Sequence, residues 1–293
     1  MTQQAAAVIV THDTRDEALA CLGSLSDAGA DEVVLVDSGS SDGTADAVRD
    51  AFPDVTVVQL PNVGYGRAAN VGVARTTAPY VVVANADTRF EEGAVAALAD
   101  DLERHPDAGA AGPLVRYPDG ELQASARRFP TLGQAIGHAA FGLWWPDNPW
   151  TRAYRMRDED PTAEKEVDWL SGCALALRRD AFVDVGGFDP AYFMFVEDVD
   201  LGYRLQQAGW KVRFAPDAEV IHAVGASTRR RRAWMVIEHA KSLDRFYGRA
   251  YATGPGRWLR PLIRVGLALW VLAVLAWGVV VGVRRGIRST TGE

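Results

Sequence analysis

Short apolar runs alternate with segments of helical periodicity along the first hundred residues. Continuously apolar runs of this length are typical of parallel strands that are covered on both faces. The predicted strands lie at residues 6–10, 32–36, 55–60 and 80–84. Apolar residues recur at helical spacing in the segments 16–26, 44–52, 66–74 and 91–104. This alternation predicts an α/β fold with a mostly parallel sheet and helices on both of its faces.

The pattern is less regular in the second half of the chain. A hairpin arm is predicted at residues 120–129, and two loops follow, an aromatic one at 144–149 and a charged one at 158–166. The later elements are predicted as strands at 167–177 and 211–214 and helices at 179–185, 199–208 and 234–247. Regular structure is therefore expected to return after the two loops.

The last apolar segment, residues 265–283, contains no charged residue. A helix of this length spans roughly the hydrocarbon core of a bilayer. Arginines flank both ends and blur the positive-inside rule, so a full span and an interfacial helix both stay open, with a buried core helix as a third interpretation. We therefore predict a body at residues 1–250 and a membrane-associated segment at residues 251–293.

The composition of the 293 residues, 48% hydrophobic and 24% charged, excludes a disordered or fibrous chain. The formal net charge of −7 hides an asymmetry: residues 229–288 carry 13 Lys and Arg against two acids, whereas residues 1–228 carry 35 acids against 18 bases. The acidic body argues against nucleic-acid binding, and the basic apolar tail favours a membrane surface. Two cysteines and a first segment without the basic region of a signal peptide indicate a reducing, cytoplasmic setting.

Acidic and polar residues follow three of the predicted strands, at residues 11–13, 37–41 and 85–87. Ligands bind beyond the carboxyl ends of strands in such sheets, so these positions form a candidate site. Asp87 is suited to hold a divalent cation that binds a diphosphate, although aspartates also end strands for turn reasons. Asp37 can accept the imide N–H of uracil or thymine or a ribose hydroxyl, while Asp42 is better explained as a helix cap.

Small and flexible residues occupy positions 64–70. They let the backbone approach a ligand, and Arg67 can meet a phosphate. The segment is not a P-loop, because no Gly-Lys-Ser/Thr follows, and it lacks the third glycine of a dinucleotide fingerprint. It therefore predicts ligand contact without either nucleotide-binding motif.

Glu197 and Asp198 follow an apolar run directly. A carboxylate held against apolar surface has a raised pKa and makes a useful general base, although acids at a helix start are also favoured by the helix dipole. His222 ends another apolar stretch. A lone histidine is usually structural, but beside an acidic metal site it becomes a further ligand.

In this order, the motifs resemble inverting family-2 glycosyltransferases of the GT-A fold, which is Rossmann-like. The matching segments lie at residues 8–11, 36–44, 62–70, 85–87, 167–173, 186–189, 192–201 and 208–210, followed by His222. The later segments are most similar to the rhamnosyltransferase branch. The resemblance covers about residues 6–250. It implies a nucleotide-sugar-binding half at residues 1–113 and an acceptor-binding half at residues 114–250.

The resemblance also implies roles for individual residues. Asp198, with Glu197 beside it, is implied as the catalytic base, and Asp87 and His222 as ligands of Mg²⁺ or Mn²⁺. The residues implied in binding the nucleotide sugar are Thr11, Asp13, Asp37, Ser38, Gly64, Arg67, Asn70, Asn85 and Ala86. The residues implied in binding the acceptor are Trp169, Ser171 and Gly172.

Some of these positions carry an alternative or depart from the family pattern. Trp169 fits a core position as well as a sugar-stacking one. Asn85 stands where many relatives carry Asp, so a single carboxylate is expected at the metal. Asp13 stands where relatives often have Asn.

The function that the resemblance implies is transfer of L-rhamnose from dTDP-rhamnose to a polyprenyl-diphosphate-linked N-acetylglucosamine, in cell-wall or polysaccharide biosynthesis. The expected place is the cytoplasmic face of the cell membrane, and the expected partners are the nucleotide sugar, the lipid-linked acceptor, the membrane and a second copy of the chain in a homodimer. Three alternatives stay open: a UDP-hexose donor, a membrane-bound nucleotide-sugar-binding protein without activity, and a nucleotidyltransferase. The last is disfavoured, because residues 11–15 do not form a Gly-rich basic loop.

Overall fold

The computed structural model describes residues 4–142, 144–156, 158–223, 232–250 and 255–290. The chain divides into two compact units, the first joining Met1–Phe193 with Glu197–Ser227 and the second joining Met194–Val196 with Thr228–Glu293. This division groups the helix before residue 250 with the C-terminal helix. The functional boundaries at residues 113 and 250 stay predictions.

The first unit begins with alternating strands and helices, from Ala5 to Asn85, as the sequence pattern predicts for this part of the chain. Its strands are β1 (Ala5–Thr11), β2 (Glu32–Ser38), β3 (Thr56–Leu60), β4 (Tyr80–Asn85), β5 (Thr88–Phe90), β6 (Ala108–Arg116), β7 (Leu122–Gln123), β8 (Ala126–Arg127), β9 (Lys165–Val167), β10 (Trp169–Leu170), β11 (Ala174–Arg178) and β12 (Lys211–His222). Its helices are α1 (Arg15–Ser24), α2 (Thr44–Ala51), α3 (Tyr65–Val73), α4 (Ala94–Arg104), α5 (Leu132–Phe141), α6 (Pro149–Tyr154), α7 (Arg179–Asp184) and α8 (Glu197–Gln207). The second unit contains α9 (Arg232–Ala250), a short 3-10 helix (Pro255–Leu259) and α10 (Arg260–Thr290).

Ten of the described strands form one sheet, in the order β3-β2-β1-β4-β11-β6-β12-β5, with β7 beside β6 and β9 beside β12. The first four strands of this order are parallel, and β12 is parallel to β6. β11 runs antiparallel between β4 and β6. The predicted α/β fold with a mostly parallel sheet is confirmed, and β11 is an exception that the hydrophobic pattern did not show.

The central strands bury side chains on both faces. In β1, Ala7 and Ile9 pack with residues of α1 and α4 on one side, while Val8 and Val10 pack with residues of α3 and α8 on the other. Complete burial of one large aliphatic side chain stabilises the fold by about 1.5–3 kcal/mol. Helices thus cover both faces, and the loops after the strands meet at the carboxyl edge of the sheet.

Two predicted strands have different bounds in the structure, and a third strand was not predicted. The strand predicted at 167–177 is divided into β9, β10 and β11, with a turn at residues 171–173. The strand predicted at 211–214 continues to His222, with irregular register along its length. β6 was not predicted, because its first residues are small and give little contrast between apolar and polar positions.

The second unit exposes a large apolar surface. On α10, four aliphatic side chains are between 58% and 68% exposed, namely Leu262, Val265, Leu269 and Leu272. The helical stretch Arg257–Ala276 is long and apolar enough to cross a membrane by length and composition, and none of it is buried. Exposure of this kind is unfavourable in water, so it favours an apolar environment over the buried core helix considered above.

Candidate active site

Neighbouring strands of the first unit bring the predicted polar positions to one edge of the sheet. Thr11 of β1 pairs with Asp37 of β2, and Val10 pairs with Asn85 of β4. The N–H of Ala86 donates to the carbonyl of Val10 at 3.1 Å, which carries the pairing past the end of β4. The three strand ends that were predicted to form a site are therefore adjacent.

Asp37 is buried at this edge, with 2% of its surface exposed. Its Oδ1 accepts a hydrogen bond from the N–H of Ser40 at 2.9 Å, which orients the carboxylate. The prediction that Asp42 is the N-cap of α2 is wrong, because the N-cap is Gly43; Asp42 instead accepts at Oδ1 from the N–H of Thr44, the first residue of the helix, at 3.1 Å. Asp42 therefore binds the first turn of α2, whereas the carboxylate of Asp37 lies at the edge of the sheet.

Three other residues predicted to bind the nucleotide sugar lie around Asp37. Thr11 and Ser38 are buried, whereas Asp13 is exposed and its Oδ1 accepts from the N–H of Ser41 at 2.7 Å. His12, which the sequence pattern did not single out, has its Nδ1 2.9 Å from the carbonyl oxygen of Ser38. These contacts order the loops at the edge, and a nucleotide-binding role for the three residues stays a prediction.

The glycine-rich segment that begins α3 is held by backbone contacts. Gly64 has a φ of 86°, and a Cβ atom there would lie 2.1 Å from the carbonyl oxygen of Phe193, so only glycine fits. Asn70 uses both ends of its amide on the backbone of Phe188, donating at 2.8 Å and accepting at 2.9 Å. Arg67 is exposed and donates to a carbonyl of the same loop at 2.5 Å. The structure thus shows a positioning role for these residues, while their ligand contacts stay predictions.

Asp87 and His222, the two predicted metal ligands, lie side by side. Nε2 of His222 is 3.1 Å from Oδ1 of Asp87. On the other side of the ring, Nδ1 is 3.1 Å from Oε1 of Gln123 on β7. In the tautomer in which Nδ1 donates to this amide oxygen, Nε2 directs its lone pair toward Asp87. An imidazole lone pair beside a carboxylate fits a divalent cation.

A second group of ligand-type side chains lies on and around α4. Asp101, His105 and Glu164 each place one ligand atom within 4.8 Å of the others, so they too are a candidate metal-binding group. However, Arg213 donates to both oxygens of Asp101, at 3.0 and 3.1 Å, and to Glu164 at 3.1 Å. Asp101 is fully buried, and this guanidinium already balances its charge. We therefore assign this group to stability rather than to metal binding.

Glu197 and Asp198 are the first two residues of α8. Asp198 is half-buried, and its two oxygens accept from the N–H of Gly172 at 2.9 Å and the N–H of Val199 at 2.8 Å. Glu197 is 7% exposed, and its Oε2 is buried with no hydrogen-bond partner among the described residues. Burial and then the charge of Asp198 raise the pKa of Glu197. Burial also raises the pKa of Asp198, against the opposing effects of its two N–H donors and of Arg127.

The backbone just before this pair is strained. Phe195 and Val196 both have a φ of 68°, in the left-handed region. Residues other than glycine adopt it at a cost of about 1–3 kcal/mol each, and such strain concentrates at functional sites. The local conformation therefore supports a functional role for Glu197 and Asp198.

The turn at residues 171–173 joins the metal-ligand region to the predicted base. The N–H of Gly172 donates to Asp198, as described above. One residue further, the carbonyl of Cys173 accepts from the N–H of Asn85 and from the hydroxyl of Thr88, both at 3.0 Å. Two consecutive residues thus hold the base and the end of β4 in place.

Tyr65 lies against the same turn. Its hydroxyl donates to the carbonyl of Gly172 at 2.7 Å. Burial, and then the charges of Glu197, Asp198 and Asp87, raise the pKa of Tyr65 well above its usual range, so the phenol stays a neutral donor. The charges of all three acids act on this one hydroxyl, so the predicted base and the predicted metal ligand both lie near Tyr65, while their roles stay predictions.

The predicted acceptor residues lie beside a cation–π cluster. Trp169 is 5% exposed, and the guanidinium of Arg127 is 4.9 Å from the centre of its ring and 5.4 Å from that of Tyr154. Because Arg127 covers the ring of Trp169, the structure favours a core position for this tryptophan over stacking on a sugar. The N–H of Ser171 donates to the carbonyl of Ser125 at 2.7 Å. Acceptor binding by the turn stays a prediction.

Three residues that the sequence pattern missed act on the predicted site, namely Tyr65, Gln123 and Arg127. The bonds of Tyr65 and Gln123 join positions 107 and 99 residues apart, so no local spacing could reveal them. Tyr65 did carry one signal, since it lies between two glycines of the flexible segment.

The first unit has the GT-A type of fold found in glycosyltransferases. Among solved structures, the mannosyltransferase PcManGT from Pyrobaculum calidifontis, in complex with GDP-Man and Mn²⁺, is similar with a TM-score of 0.58. The sequence identity is 19%, and the match covers 99% of this chain and 84% of that chain. At this identity the likeness shows the fold alone.

Sequence comparison assigns the family. Residues 6–186 match Glycosyl transferase family 2, and residues 148–285 match Glycosyl transferase family group 2. The N-acetylglucosaminyl-diphospho-decaprenol L-rhamnosyltransferase of Mycobacterium tuberculosis is 43% identical over 252 residues, which is 81% of each chain. Rhamnosyltransferase WbbL of Escherichia coli K12 is 31% identical over 43% of this chain and 44% of its own. The chain belongs to glycosyltransferase family 2, and the predicted enzyme class is confirmed.

Proposed function

We propose that this chain is an inverting rhamnosyltransferase that moves L-rhamnose from dTDP-rhamnose to N-acetylglucosamine carried on a polyprenyl diphosphate. The observation that carries the proposal is the 43% identity, over 81% of both chains, to the mycobacterial enzyme whose name states the rhamnose and the lipid-linked acceptor. The reaction belongs to cell-wall or polysaccharide biosynthesis.

The donor is held at the carboxyl edge of the sheet. Asp37 accepts the imide N–H of thymine, and because uracil presents the same imide edge, this contact selects the type of base and not the sugar. Asp87 and His222 hold Mg²⁺ or Mn²⁺, which when bound neutralises charge on the departing nucleotide diphosphate. Gln123 keeps the imidazole of His222 in the tautomer that presents Nε2 to the cation.

Asp198 acts as the general base. Among the described residues, Oε2 of Glu197 has no hydrogen-bond donor, and burial and the charge of Asp198 raise its pKa, so the protonated form of Glu197 is favoured. Asp198 is the member of the pair whose ionised form is favoured by two N–H donors and by Arg127. It removes the proton from the acceptor hydroxyl as that oxygen bonds to C1 of rhamnose and the C1–phosphate bond breaks on the opposite face. A single displacement of this kind inverts the anomeric centre.

The enzyme works at the cytoplasmic face of the cell membrane, where a polyprenyl-linked acceptor is held. The exposed apolar surface of Arg257–Ala276 and the basic charge of the tail support this location. We also propose a homodimer, which sedimentation of the detergent-solubilised chain checks.

The direct test is a transfer assay with the full chain in phospholipid vesicles and polyprenyl-diphospho-N-acetylglucosamine as acceptor. We expect rhamnosylated product from dTDP-rhamnose with Mn²⁺ or Mg²⁺, loss of product with EDTA, and an inverted anomeric configuration by NMR. Product from a UDP-hexose but not from dTDP-rhamnose would replace the donor assignment. Absence of donor consumption with every acceptor would favour the non-catalytic binding protein.

A further inference from the structure

The segment from α5 to α6 in the first unit carries a cluster of exposed aromatic side chains, which we call the aromatic patch. It consists of Phe141 (46% exposed), Trp144 (64%), Trp145 (52%) and Trp150 (38%). Phe141 and Trp150 are stacked, with ring centroids 5.3 Å apart. Large apolar side chains grouped in this way on a surface mark an interaction site rather than scattered exposure.

Polar groups, in contrast, are enclosed within the segment. Asn148 and Thr151 are 0% and 1% exposed, and Oδ1 of Asn148 caps α6 by accepting from the N–H of Thr151 at 2.8 Å. The hydroxyl of Thr151 lies 2.9 Å from Nδ1 of His138 on α5. Burial lowers the pKa of His138 to about 4, so the ring is neutral at this contact. In this segment the polar side chains are therefore buried and hydrogen-bonded, whereas the aromatic side chains are exposed. A surface segment usually shows the opposite arrangement.

From this arrangement we propose that the aromatic patch is a membrane-docking surface that inserts into the boundary between lipid headgroups and acyl chains. Tryptophan is the side chain that favours this boundary, because its ring is apolar while its N–H still reaches a polar partner. Three tryptophans fall within seven residues here. The aromatic patch belongs to the first unit, whereas α10 belongs to the second.

The patch is also connected to the candidate active site. Tyr154, at the end of α6, lies against Arg127 and Trp169, with 6.4 Å between the two aromatic ring centroids. The positive charge of Arg127 in turn lowers the pKa of Asp198. A lipid-linked acceptor must bring its sugar to Asp198 while its polyprenyl chain stays in the bilayer. This requirement rests on the proposed function. It gives a reason for a membrane-docking surface close to the residues predicted to bind the acceptor.

Site-specific labelling tests the proposal without measuring catalysis. The native cysteines Cys21 and Cys173 are buried, so a thiol reagent labels an introduced surface cysteine selectively. The full chain with Trp145→Cys is labelled with NBD and mixed with vesicles of equimolar phosphatidylcholine and phosphatidylglycerol. The matched control is Val183→Cys on α7, where the native side chain is 68% exposed.

We expect the NBD emission at position 145 to shift to the blue and to be quenched by nitroxide lipids labelled near the headgroup, with no change at position 183. If both labels stay in water while the chain sediments with vesicles, the patch is not a docking surface. A shift at position 145 that needs no vesicles and accompanies dimer formation would assign the patch to self-association and overturn the proposal.

A second variant measures how much the patch contributes. Trp144→Ser with Trp145→Ser should weaken vesicle binding about tenfold, while consumption of donor with a water-soluble N-acetylglucosamine acceptor stays within about twofold. Unchanged vesicle binding would contradict docking even if transfer is normal. If the unmodified chain transfers no sugar to either acceptor, the result would instead contradict the proposed function.

Discussion

Asp101 and Glu197 are both buried carboxylates on helices of the first unit, but their surroundings differ. Both oxygens of Asp101 accept hydrogen bonds from Arg213, so its charge is balanced inside the protein. Oε2 of Glu197 has no partner among the described residues, and the nearest charge that raises its pKa is another acid, Asp198. A buried acid is therefore balanced by a cation in one place and, in the proposed mechanism, takes part in proton transfer in the other.

The two sites also separate the candidates for metal binding. The group around Asp101 has more ligand atoms close together, but it already contains a cation in Arg213. The pair Asp87 and His222 has fewer ligands but presents a lone pair and a carboxylate at the active edge. Charge balance, rather than the number of ligand atoms, decides which site suits a divalent cation.

The largest effect is expected for Asp198→Asn, at the pair of acids formed by Glu197 and Asp198. Loss of the general base should lower the transfer rate about 10²–10⁴-fold, while the melting temperature stays the same or rises. Initial rates with the lipid acceptor and a thermal melt measure both quantities. Near-normal transfer by this variant would remove Asp198 from the mechanism.

For Asp101, Arg213→Met should lower the free energy of unfolding by about 3–5 kcal/mol, because the buried carboxylate loses its bidentate partner and keeps only the longer contacts to Arg104 at 3.6 Å and His105 at 3.4 Å. The transfer rate of the protein that remains folded should stay close to normal. Denaturant titration gives the first value and the vesicle assay the second. The double change Asp101→Leu with Arg213→Met is the control, and it should recover most of the stability; if it does not, the loss reflects packing.

The comparison of the two metal candidates is tested by Gln123→Leu. Removal of the partner of His222 should weaken Mn²⁺ binding about 10–100-fold, as measured by the rise of melting temperature with Mn²⁺. Glu164→Gln is the matched control and should leave Mn²⁺ binding unchanged. The opposite outcome would place the metal at Asp101, His105 and Glu164.

The most gradual expected effect is the pH dependence of stability caused by Glu197. Its pKa is raised in the folded protein, so above pH 4.5 the unfolded chain loses this proton first and stability falls as the pH rises toward the folded pKa. Glu197→Gln removes this loss, so its stability relative to the unmodified chain should increase with pH by at most about 1.4 kcal/mol per unit. Denaturant titrations between pH 5 and 8 measure the difference, with exposed Glu92→Gln as the control. A constant difference across this range would contradict the raised pKa.

The sequence pattern predicted the parallel half of the sheet well, because a strand that is buried on both faces must be apolar throughout. It also placed Asp37 and Asp87 at strand ends, since parallel strands direct their carboxyl ends to one edge. The antiparallel direction of β11 escaped prediction, because strand direction depends on the path of the chain through the turn at residues 171–173 and not on local periodicity.

The sequence by itself determined the fold class, the family, the apolar basic tail and the identity of the acids at the site. Only the tertiary structure decided which acids are neutralised, since Arg213 reaches Asp101 across 112 residues of sequence. Only the tertiary structure joined Gly172 to Asp198 and Gln123 to His222. Composition and periodicity are local properties, whereas the pKa of a carboxyl and the charge at a metal site depend on partners that the folded chain brings from distant positions.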